Sequence, residues 1–339
     1  MKFDYVIGNP PYQEEKENNG RQNPVYNKFM DEAYKIANCV ELITPARFLF
    51  NAGQTPKVWN DKMLNDKHFK VLQYDADASK VFTNTEIKGG VAITIRDKKK
   101  EYGAIGIFTE YLELNTILHK VLPYCKYCLS DICIGAVPYH YTDELKKDHP
   151  EYVDLAGTSY DLRTNAFDKL GNKIFFEINP MDGDYIKVYG LFNKKRSCMY
   201  VKRKYIDTPE NFEGYKILLS KASGSGKFGE GLSQMILAEP YVGHTQSFIS
   251  LGNYSNRCEA LSLEKYIKSK FARCLLSVLR TTQDTTPYKW KYVPLQDFTP
   301  NSDIDWSVSI ANIDKQLYKK YGLSEDEISF IETNVKEME

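Results

Sequence analysis

The first hundred residues alternate between short apolar runs and segments whose apolar positions recur at helical spacing. This alternation is typical of a largely parallel α/β sheet, and the mainly apolar run at 3–8 predicts a strand buried on both faces, as in parallel sheets. Gly89-Gly90 precedes the last run and predicts that the final two strands pair in opposite directions at one edge. The predicted strands are 3–8, 40–44, 69–74 and 90–95, and the predicted helices are 26–37 and 58–64.

The region from 133 to 240 has a different pattern, with short strand-like runs separated by Gly, Asn, Asp and Pro. It predicts a mostly β region that contains strands at 173–178, 185–189 and 197–201. A helix at 110–122 precedes this region, and the charged run at 96–100 indicates a domain boundary near residue 105.

Two further helical segments follow. Ser262 is predicted to cap a helix reaching about residue 279, with Ile267, Phe271, Leu275 and Val278 inward and Lys268, Lys270 and Arg273 outward. The C-terminal segment predicts a helical hairpin, in which Gly322 ends the first helix and Ser324 with Glu327 forms a capping box for the second. The apolar positions of this hairpin are Ile310, Ile313, Leu317, Ile328, Ile331 and Val335.

Composition narrows the class of protein only slightly. The 45 basic and 45 acidic residues cancel, so global charge does not indicate a nucleic-acid partner. No apolar stretch approaches the roughly 18 residues that a membrane helix needs, and the N-terminus has no apolar signal core. We therefore expect a cytoplasmic protein without a membrane partner. Seven cysteines, an odd number in a 339-residue chain, indicate free thiols.

Candidate chemistry begins where the first predicted strand ends, at Asn9-Pro10-Pro11-Tyr12. The two prolines exclude both helix and ladder, and Asn9 is biased toward extended geometry because a proline follows it. The four residues therefore predict a stiff loop at the carboxyl end of a strand. Open α/β sheets bind their ligands at that edge.

Asn-Pro-Pro-Tyr after an apolar strand resembles a motif of the amino-methyltransferases, and specifically adenine-N6 DNA methyltransferases of type II restriction-modification systems. The resemblance implies that the Asn9 side-chain oxygen and the Pro10 carbonyl accept hydrogen bonds from the exocyclic amine of a flipped-out base. Pro11 would stiffen the loop, and Tyr12 would stack on the base. Cytosine N4 is a chemically similar target, although Asn at the first position of the motif favours adenine.

The segment Leu-Ile-Thr-Pro-Ala-Arg-Phe-Leu at 42–49 also resembles this family. Arg47 is a candidate for contact with a DNA phosphate, with a solvated arginine as the equal alternative. Phe82 is a candidate for a second ring against the target base, with packing in the core as the alternative. The phosphate contact of Arg47 and the base contact of Phe82 are therefore hypotheses.

The methyl donor of the family is S-adenosylmethionine, and its site is expected elsewhere. In the motif order that this sequence resembles, the gamma order, the glycine-rich donor motif precedes the Asn-Pro-Pro-Tyr loop, yet only eight residues precede it here. The resemblance thus implies a complementary donor-binding subunit or a truncated, inactive fragment. The sequence at 224–229 matches G-x-G-x-x-G and leaves two alternatives, a permuted donor site or a Gly/Ser turn that touches DNA through its amides.

A dense basic patch marks the predicted β region. It consists of Lys194, Lys195 and Arg196 followed by Lys202, Arg203 and Lys204. Such a patch suits contacts with the phosphates of double-stranded DNA, and a solvated basic face is the alternative. Residues 223–299 also resemble target-recognition regions of restriction-modification methyltransferases.

Parts of the sequence also suggest two kinds of metal site, a zinc site and the metal site of a nuclease. Cys125, Cys128 and Cys133 with His119 suggest zinc, but their spacing matches no standard pattern of ligand pairs. Asp77 with the segment 86–88, which carries Glu86 and Lys88, mimics the metal site of a nuclease, a loose pattern that arises easily by chance. A restriction endonuclease and a DNA-binding fragment without catalysis therefore stay as alternatives.

The sequence thus predicts an α/β protein in which the C-terminal part of a methyltransferase-type sheet domain precedes a mixed β/α target-recognition domain. The predicted catalytic subdomain is 1–105, the DNA-binding domain is 106–301, and the helical hairpin is 302–339.

Overall fold

The computed structural model describes residues 3–14, 23–82, 87, 89–157 and 160–338. The chain forms two compact units, Met1–Asn115 and Thr116–Glu339. Across the described ranges, no helix is long and apolar enough to cross a lipid bilayer. The division falls ten residues after the predicted boundary, and residues 302–339 belong to the second unit. The functional assignment of these segments stays a prediction.

The first unit is built on a four-stranded sheet with the strand order β1-β2-β4-β3. β1 and β2 run parallel, and β4 lies antiparallel between β2 and β3. The reversed pair predicted from Gly89-Gly90 is therefore confirmed. The elements are β1 (Phe3–Gly8), α1 (Tyr26–Ile36), β2 (Ala37–Pro45), α2 (Lys57–Leu64), β3 (Phe69–Asp75) and β4 (Val91–Asp97).

One prediction for this sheet is wrong. β1 is not buried on both faces, because it forms the edge of the described sheet and the side chains of Tyr5 and Ile7 are 72% and 76% exposed. Val6 alternates with them and packs against the core. A mainly apolar run reports the types of the side chains and does not report whether a layer covers both faces.

The core of the first unit lies against the opposite face of the sheet. Met30 of α1 and Met63 of α2 are fully buried there, with Phe48 from the short 3₁₀ turn that follows β2. The ring of Phe48 lies 5.1 Å from Trp59 and 6.2 Å from Phe69 between ring centroids, within the range of favourable aromatic pairs. This core fixes the ends of β1 and β2, where the candidate site lies.

Among its described residues, the second unit contains three sheets of four, three and two strands, with strand orders β11-β10-β13-β5, β12-β7-β8 and β6-β9. The predicted mostly β region is therefore present. The strands are β5 (Cys133–Ile134), β6 (His140–Tyr141), β7 (Tyr185–Phe192), β8 (Lys195–Lys202), β9 (Ile206–Asp207), β10 (Tyr215–Ser220), β11 (Ile236–Ala238), β12 (Val242–His244) and β13 (Phe248–Tyr254).

The predicted strand at 173–178 is wrong. This segment makes only isolated bridges, from Phe175 to Gly171 and from Phe176 to Tyr200. Ile174 and Phe175 are buried in the core of the second unit. Their side chains are thus satisfied by packing from a loop, so the apolar run needs no ladder.

The helices of the second unit follow the expected periodicity with one break. The single helix predicted from Ser262 is two helices, because Asn256 caps the first and Ser269 interrupts the run and caps the second. Ser262 lies inside the first helix and donates to the Cys258 carbonyl. The helices are α3 (Leu112–Val121, which crosses the division), α4 (Asp143–Asp148), α5 (Val153–Ala156), α6 (Ala166–Leu170), α7 (Arg257–Lys268), α8 (Lys270–Ser277), α9 (Ile310–Lys320) and α10 (Glu325–Asn334).

Arg273 of α8 was also predicted wrongly, as an outward residue. It is buried, and its guanidinium donates to the carbonyls of Lys268, Gly229, Glu230 and Lys336. Burial lowers the pKa of this guanidinium to about 10. A charged residue at an outward helical position is here held by backbone acceptors, which periodicity cannot show.

The C-terminal hairpin of α9 and α10 is confirmed. Gly322 adopts a φ of 60° after α9. The Ser324 side chain accepts from the Glu327 amide while the Glu327 carboxylate accepts from the Ser324 amide, 2.7 Å away. The same carboxylate pairs with Lys120 at 2.6 Å. The capping box therefore also joins α10 to the end of α3.

Lys216 of β10 is a fully buried lysine in the second unit. Its Nζ donates to the carbonyls of Phe212 and Gly214, each 3.2 Å away, and within the described ranges it has no carboxylate partner. Burial lowers the pKa of Lys216 from 10.5 to about 8. Burying an ammonium without a counter-ion is costly, so Lys216 loses its proton at a lower pH in the folded state than in the unfolded chain.

We expect the stability of the protein to depend on this group above neutral pH. The folded pKa lies below the unfolded value, so the free energy of unfolding rises between about pH 8 and 10.5. This gain is fully present above pH 10.5 and is lost as the pH falls through 8. Relative to Lys216→Met, the wild type should gain up to about 3 kcal/mol across that window. Urea unfolding at pH 7 and pH 9.5 measures the difference. The exposed Lys195→Met variant should follow the wild type, and parallel profiles for Lys216→Met would contradict this account.

Candidate functional site

The Asn9–Tyr12 loop follows β1 at the edge of the sheet where β2 also ends. The parallel register, with Gly8 opposite Leu42, brings the loop to the same edge as Pro45, the last residue of β2. Beyond the prolines, the Tyr12 carbonyl accepts from the Val25 amide at 3.1 Å. The loop is therefore anchored on both sides, by a strand before it and by the chain entering α1 after it.

A cavity of about 400 Å³ opens beside this loop within the first unit. Its wall combines flat rings, a guanidinium and amide side chains. The volume lies within the usual range of small-molecule sites and exceeds what a single base needs. The lining residues are Tyr12, Gln13, Pro24, Tyr26, Pro45, Arg47, Gly53, Gln54 and Ile87.

Tyr12 and Phe82, the two rings proposed to contact a base, lie together. Their centroids are 6.4 Å apart and the rings meet edge to face, at 68°. A base sandwiched between two rings needs roughly 3.5 Å on each side and parallel planes. In this arrangement the base can stack on one ring only, and Tyr12 is the ring that lines the cavity.

The Tyr12 hydroxyl is buried and has no hydrogen-bond partner among the described residues. Burial raises the pKa of Tyr12 to about 12, so the hydroxyl stays protonated at neutral pH. It cannot act as a base there. The ring face is therefore the part of Tyr12 that is useful to a ligand.

Asn9 is exposed at the start of the loop and is not among the residues that line the cavity. Its side chain makes no hydrogen bond within the described part of the chain, and Pro10 behind it is half-buried. The amide is therefore available to an incoming group.

Arg47 is held between two glycines on the cavity wall. A Cβ atom on Gly89 would lie 2.6 Å from the Arg47 Cγ, and one on Gly53 would lie 3.3 Å from its Cβ. Both glycines have a positive φ, which L side chains rarely adopt. The guanidinium forms no ion pair with any described residue, so its charge faces the cavity without a counter-ion.

Sequence reasoning missed several residues of the cavity. Gln13 and Gln54 add two amide groups to its wall, and Tyr26 adds a ring. Burial raises the pKa of Tyr26 to about 12, against the lowering effects of Thr55 and Arg47. Gln13 could have been found in the sequence because it directly follows the Asn9–Tyr12 motif. Gln54 gives no such signal because it belongs to a separate loop.

The glycine-rich segment at 224–229 lies in the second unit and encloses a carboxylate of the chain itself. Glu230 accepts from the amides of Ser225, at 2.9 Å, and Gly226. It also pairs with Arg280, at 2.9 Å. These amides are therefore occupied by Glu230 and do not fit the phosphate or carboxylate of a bound cofactor, so no donor site is assigned to this loop.

The six residues of the predicted basic patch lie at two ends of one strand. Lys194 is exposed in the turn before β8, and Lys195 is exposed at the start of that strand. Lys202 lies at its other end, roughly 23 Å from Lys195 for seven residues of strand. Arg196 donates to Ser220 and the Gln234 carbonyl. Of the others, Arg203 donates to the Ile206 carbonyl and Thr208, and Lys204 pairs with Asp148.

The described residues do not support the zinc site or the nuclease metal site that the sequence left as alternatives. No group of three His, Cys, Asp or Glu side chains there could hold a metal ion. Asp77 caps a short helical turn by accepting from Ser79, while Glu86 and Lys88 lie outside the described residues. Cys133 belongs to β5 and is buried.

Comparison with known proteins agrees with the motif. Residues 1–82 match the family described as Eco57I restriction-modification methylase. A protein of Mycoplasma pneumoniae, described as an uncharacterized adenine-specific methylase, is 31% identical over 99 residues, which span 28% of this chain and 24% of that protein. The resemblance predicted from Asn9–Tyr12 is thus confirmed, because the N-terminal segment is similar to restriction-modification methylases.

Among solved structures, the type IIG restriction endonuclease BpuSI overlaps 93% of this chain, which covers 48% of that protein's chain. The sequence identity is 11% and the TM-score is 0.34. At that score the overlap is too loose to define a shared fold. This chain therefore spans about half of the structural relative and about a quarter of the sequence relative.

Proposed function

We propose that this chain acts in site-specific methylation of adenine N6 in double-stranded DNA, within a restriction-modification system. The observation that carries the proposal is the Asn9–Tyr12 loop, which follows β1 beside a cavity lined by the ring of Tyr12. The methylase match over 1–82 supports it. S-adenosylmethionine supplies the methyl group in this chemistry. The residues of this chain that would hold the donor are not assigned.

The proposed chemistry depends on two acceptors. An exocyclic amine is a weak nucleophile because its lone pair is delocalised into the ring. The Asn9 oxygen and the Pro10 carbonyl accept from its two hydrogens, favour the pyramidal nitrogen and hold it in line for attack. The stiff prolines keep both acceptors in place, and the ring of Tyr12 fixes the base that has left the duplex.

DNA contacts are proposed for the charges without partners. Arg47 is suited to a phosphate next to the target base, since it lines the cavity and forms no ion pair with a described residue. In the second unit, Lys194, Lys195 and Lys202 remain candidates for phosphate contacts. Arg196, Arg203 and Lys204 already have partners in the fold, so we expect smaller effects from them.

The direct test is transfer of labelled methyl from S-adenosylmethionine to duplex DNA, followed by analysis of the methylated nucleosides. The chain is assayed alone and with the product of the neighbouring reading frame. We expect N6-methyladenine in at least one arm, and activity only with the second protein would place the donor site there. N4-methylcytosine, or no methylation in either arm, would count against the proposal.

The stacking role of Tyr12 predicts a contrast between two substitutions. Tyr12→Ala should lower methyl transfer by roughly ten- to a hundredfold, since stacking on one base contributes about 1–3 kcal/mol. Tyr12→Phe should stay close to the wild type because the hydroxyl has no partner among the described residues. Steady-state rates measure both, and a Tyr12→Phe loss as large as that of Tyr12→Ala would refute stacking.

A further inference from the structure

Several tyrosine rings of the second unit are unusually exposed, and three of them lie in two neighbouring segments. Tyr124, Tyr127 and Tyr288 are 66%, 58% and 61% accessible to solvent. They come from two segments that are distant in sequence, 124–129 and 287–295.

The fold places these two segments side by side. The Leu295 amide donates to the Tyr127 carbonyl at 2.9 Å, and the Leu129 amide donates to the Val293 carbonyl at 2.8 Å. Cys128 and Pro294 form the bridge between them. The exposed tyrosines therefore come from adjacent segments.

The same two segments carry lysines that have no acidic partner among the described residues. Lys126 lies 5.4 Å from the Tyr127 ring centre, and Lys291 lies 6.0 Å from that of Tyr288. Both lysines are exposed, and neither forms an ion pair with a described residue. The two segments contain no Asp or Glu. The neighbouring Asp131 carboxylate already accepts from the Cys128 amide.

This combination differs from an apolar docking site for a protein. Tyr127 and Tyr288 each have their own lysine over the ring. A partner must therefore accept positive charge and flat amphipathic rings together. A polyanion with sugar rings between its charges meets both needs, because lysines contact phosphates while tyrosines donate to phosphates or lie along the sugar. Because the chain has zero net charge, this local excess of lysines is not a consequence of an overall basic composition.

We infer that the surface formed by Tyr124, Lys126, Tyr127, Tyr288, Lys291 and Tyr292, here named the tyrosine–lysine surface, binds the sugar–phosphate backbone of duplex DNA. The contact is independent of DNA sequence and separate from the basic residues of β8 and the turn before it. It rests on the proposed function only in the choice of duplex DNA as the polyanion.

The test is fluorescence anisotropy of a labelled duplex with the full chain, without methyl donor, over a range of salt concentrations. For Lys126→Gln/Lys291→Gln, the slope of log affinity against log salt should fall by about 1.8, or 0.9 for each lost phosphate contact. Affinity at low salt should drop roughly tenfold. Tyr127→Ser/Tyr288→Ser should weaken binding as well, while a single strand of the same length should compete poorly.

The matched control is Lys67→Gln/Lys99→Gln, which removes the same charge from exposed positions at the sheet end opposite the Asn9 loop. It should keep the wild-type slope, and all variants should melt like the wild type. An unchanged slope in Lys126→Gln/Lys291→Gln, an equal fall in the control, better binding of the single strand, or no DNA binding at all would overturn the inference. Methylation is measured separately, so its absence beside Lys126- and Lys291-dependent binding would refute only the proposed function.

Discussion

Replacing Asn9 by alanine should lower the rate of methyl transfer by roughly 10²- to 10³-fold while DNA affinity stays at the wild-type value. The proposed role of the Asn9 oxygen is to accept a hydrogen from the target amine as the nitrogen becomes pyramidal. Removing one such oriented group from a catalytic site typically costs that factor in kcat. Single-turnover rates and duplex binding, measured separately, distinguish the two quantities.

The structure also predicts that the Asn9→Ala variant folds normally. The side chain is exposed and makes no hydrogen bond within the described ranges, so the free energy of unfolding should change by less than about 0.5 kcal/mol. Asn38→Ala, at the opposite end of the sheet, is the matched control and should keep full activity. A fully active Asn9→Ala enzyme would remove the loop from the mechanism.

Replacing Glu230 by alanine should destabilise the second unit by about 3–5 kcal/mol, the usual cost of leaving a buried charge unpaired. Arg280 is almost completely buried, with 2% of its side chain exposed, and Glu230 is its only carboxylate partner among the described residues. Its Nε already lacks an acceptor there. Without Glu230, the amides of Ser225 and Gly226 would also lose their partner.

Urea unfolding measures this loss, with Glu239→Ala as an exposed control that should change stability little. Glu230→Gln keeps an acceptor for the amides and loses only the charge, so it should fall between the two. The pKa of Glu230 is lowered overall, since burial raises it but the amides of Ser225 and Gly226 lower it more. The stabilisation should therefore persist at neutral pH and disappear in acid. Equal stability of Glu230→Ala and Glu239→Ala would contradict this role.

The sequence was most informative where chemistry and chain geometry are local. Asn9 to Tyr12 could be placed after a strand because prolines restrict their own backbone and that of the residue before them. The capping box of Ser324 and Glu327 is equally local, as it joins residues three apart. Both features were predicted at the correct positions.

Features that depend on distant partners could not be predicted. Ser269 divides α7 from α8, yet apolar positions continue at helical spacing across the break. Arg273 looked solvent-facing because its acceptors come from segments around Gly229 and Lys336. The wall of the cavity likewise combines Gln13 with Gln54, and only the folded sheet brings them together.

The glycine-rich segment illustrates the same limit. G-x-G-x-x-G left a donor site and a simple turn as alternatives, and the sequence placed Glu230 directly after it without revealing that its carboxylate folds back onto Ser225 and Gly226. That contact argues against a bound anion at this loop.

The central claim is that this chain directs methylation of adenine through the Asn9–Tyr12 loop. Single-molecule sequencing of DNA from a methylation-deficient host tests it most directly, with the chain expressed beside its neighbouring reading frames. We expect N6-methyladenine at one defined sequence motif with the wild-type chain and none with Asn9→Ala. An unmethylated genome with the wild type, or the same methylated motif with Asn9→Ala, would contradict the account.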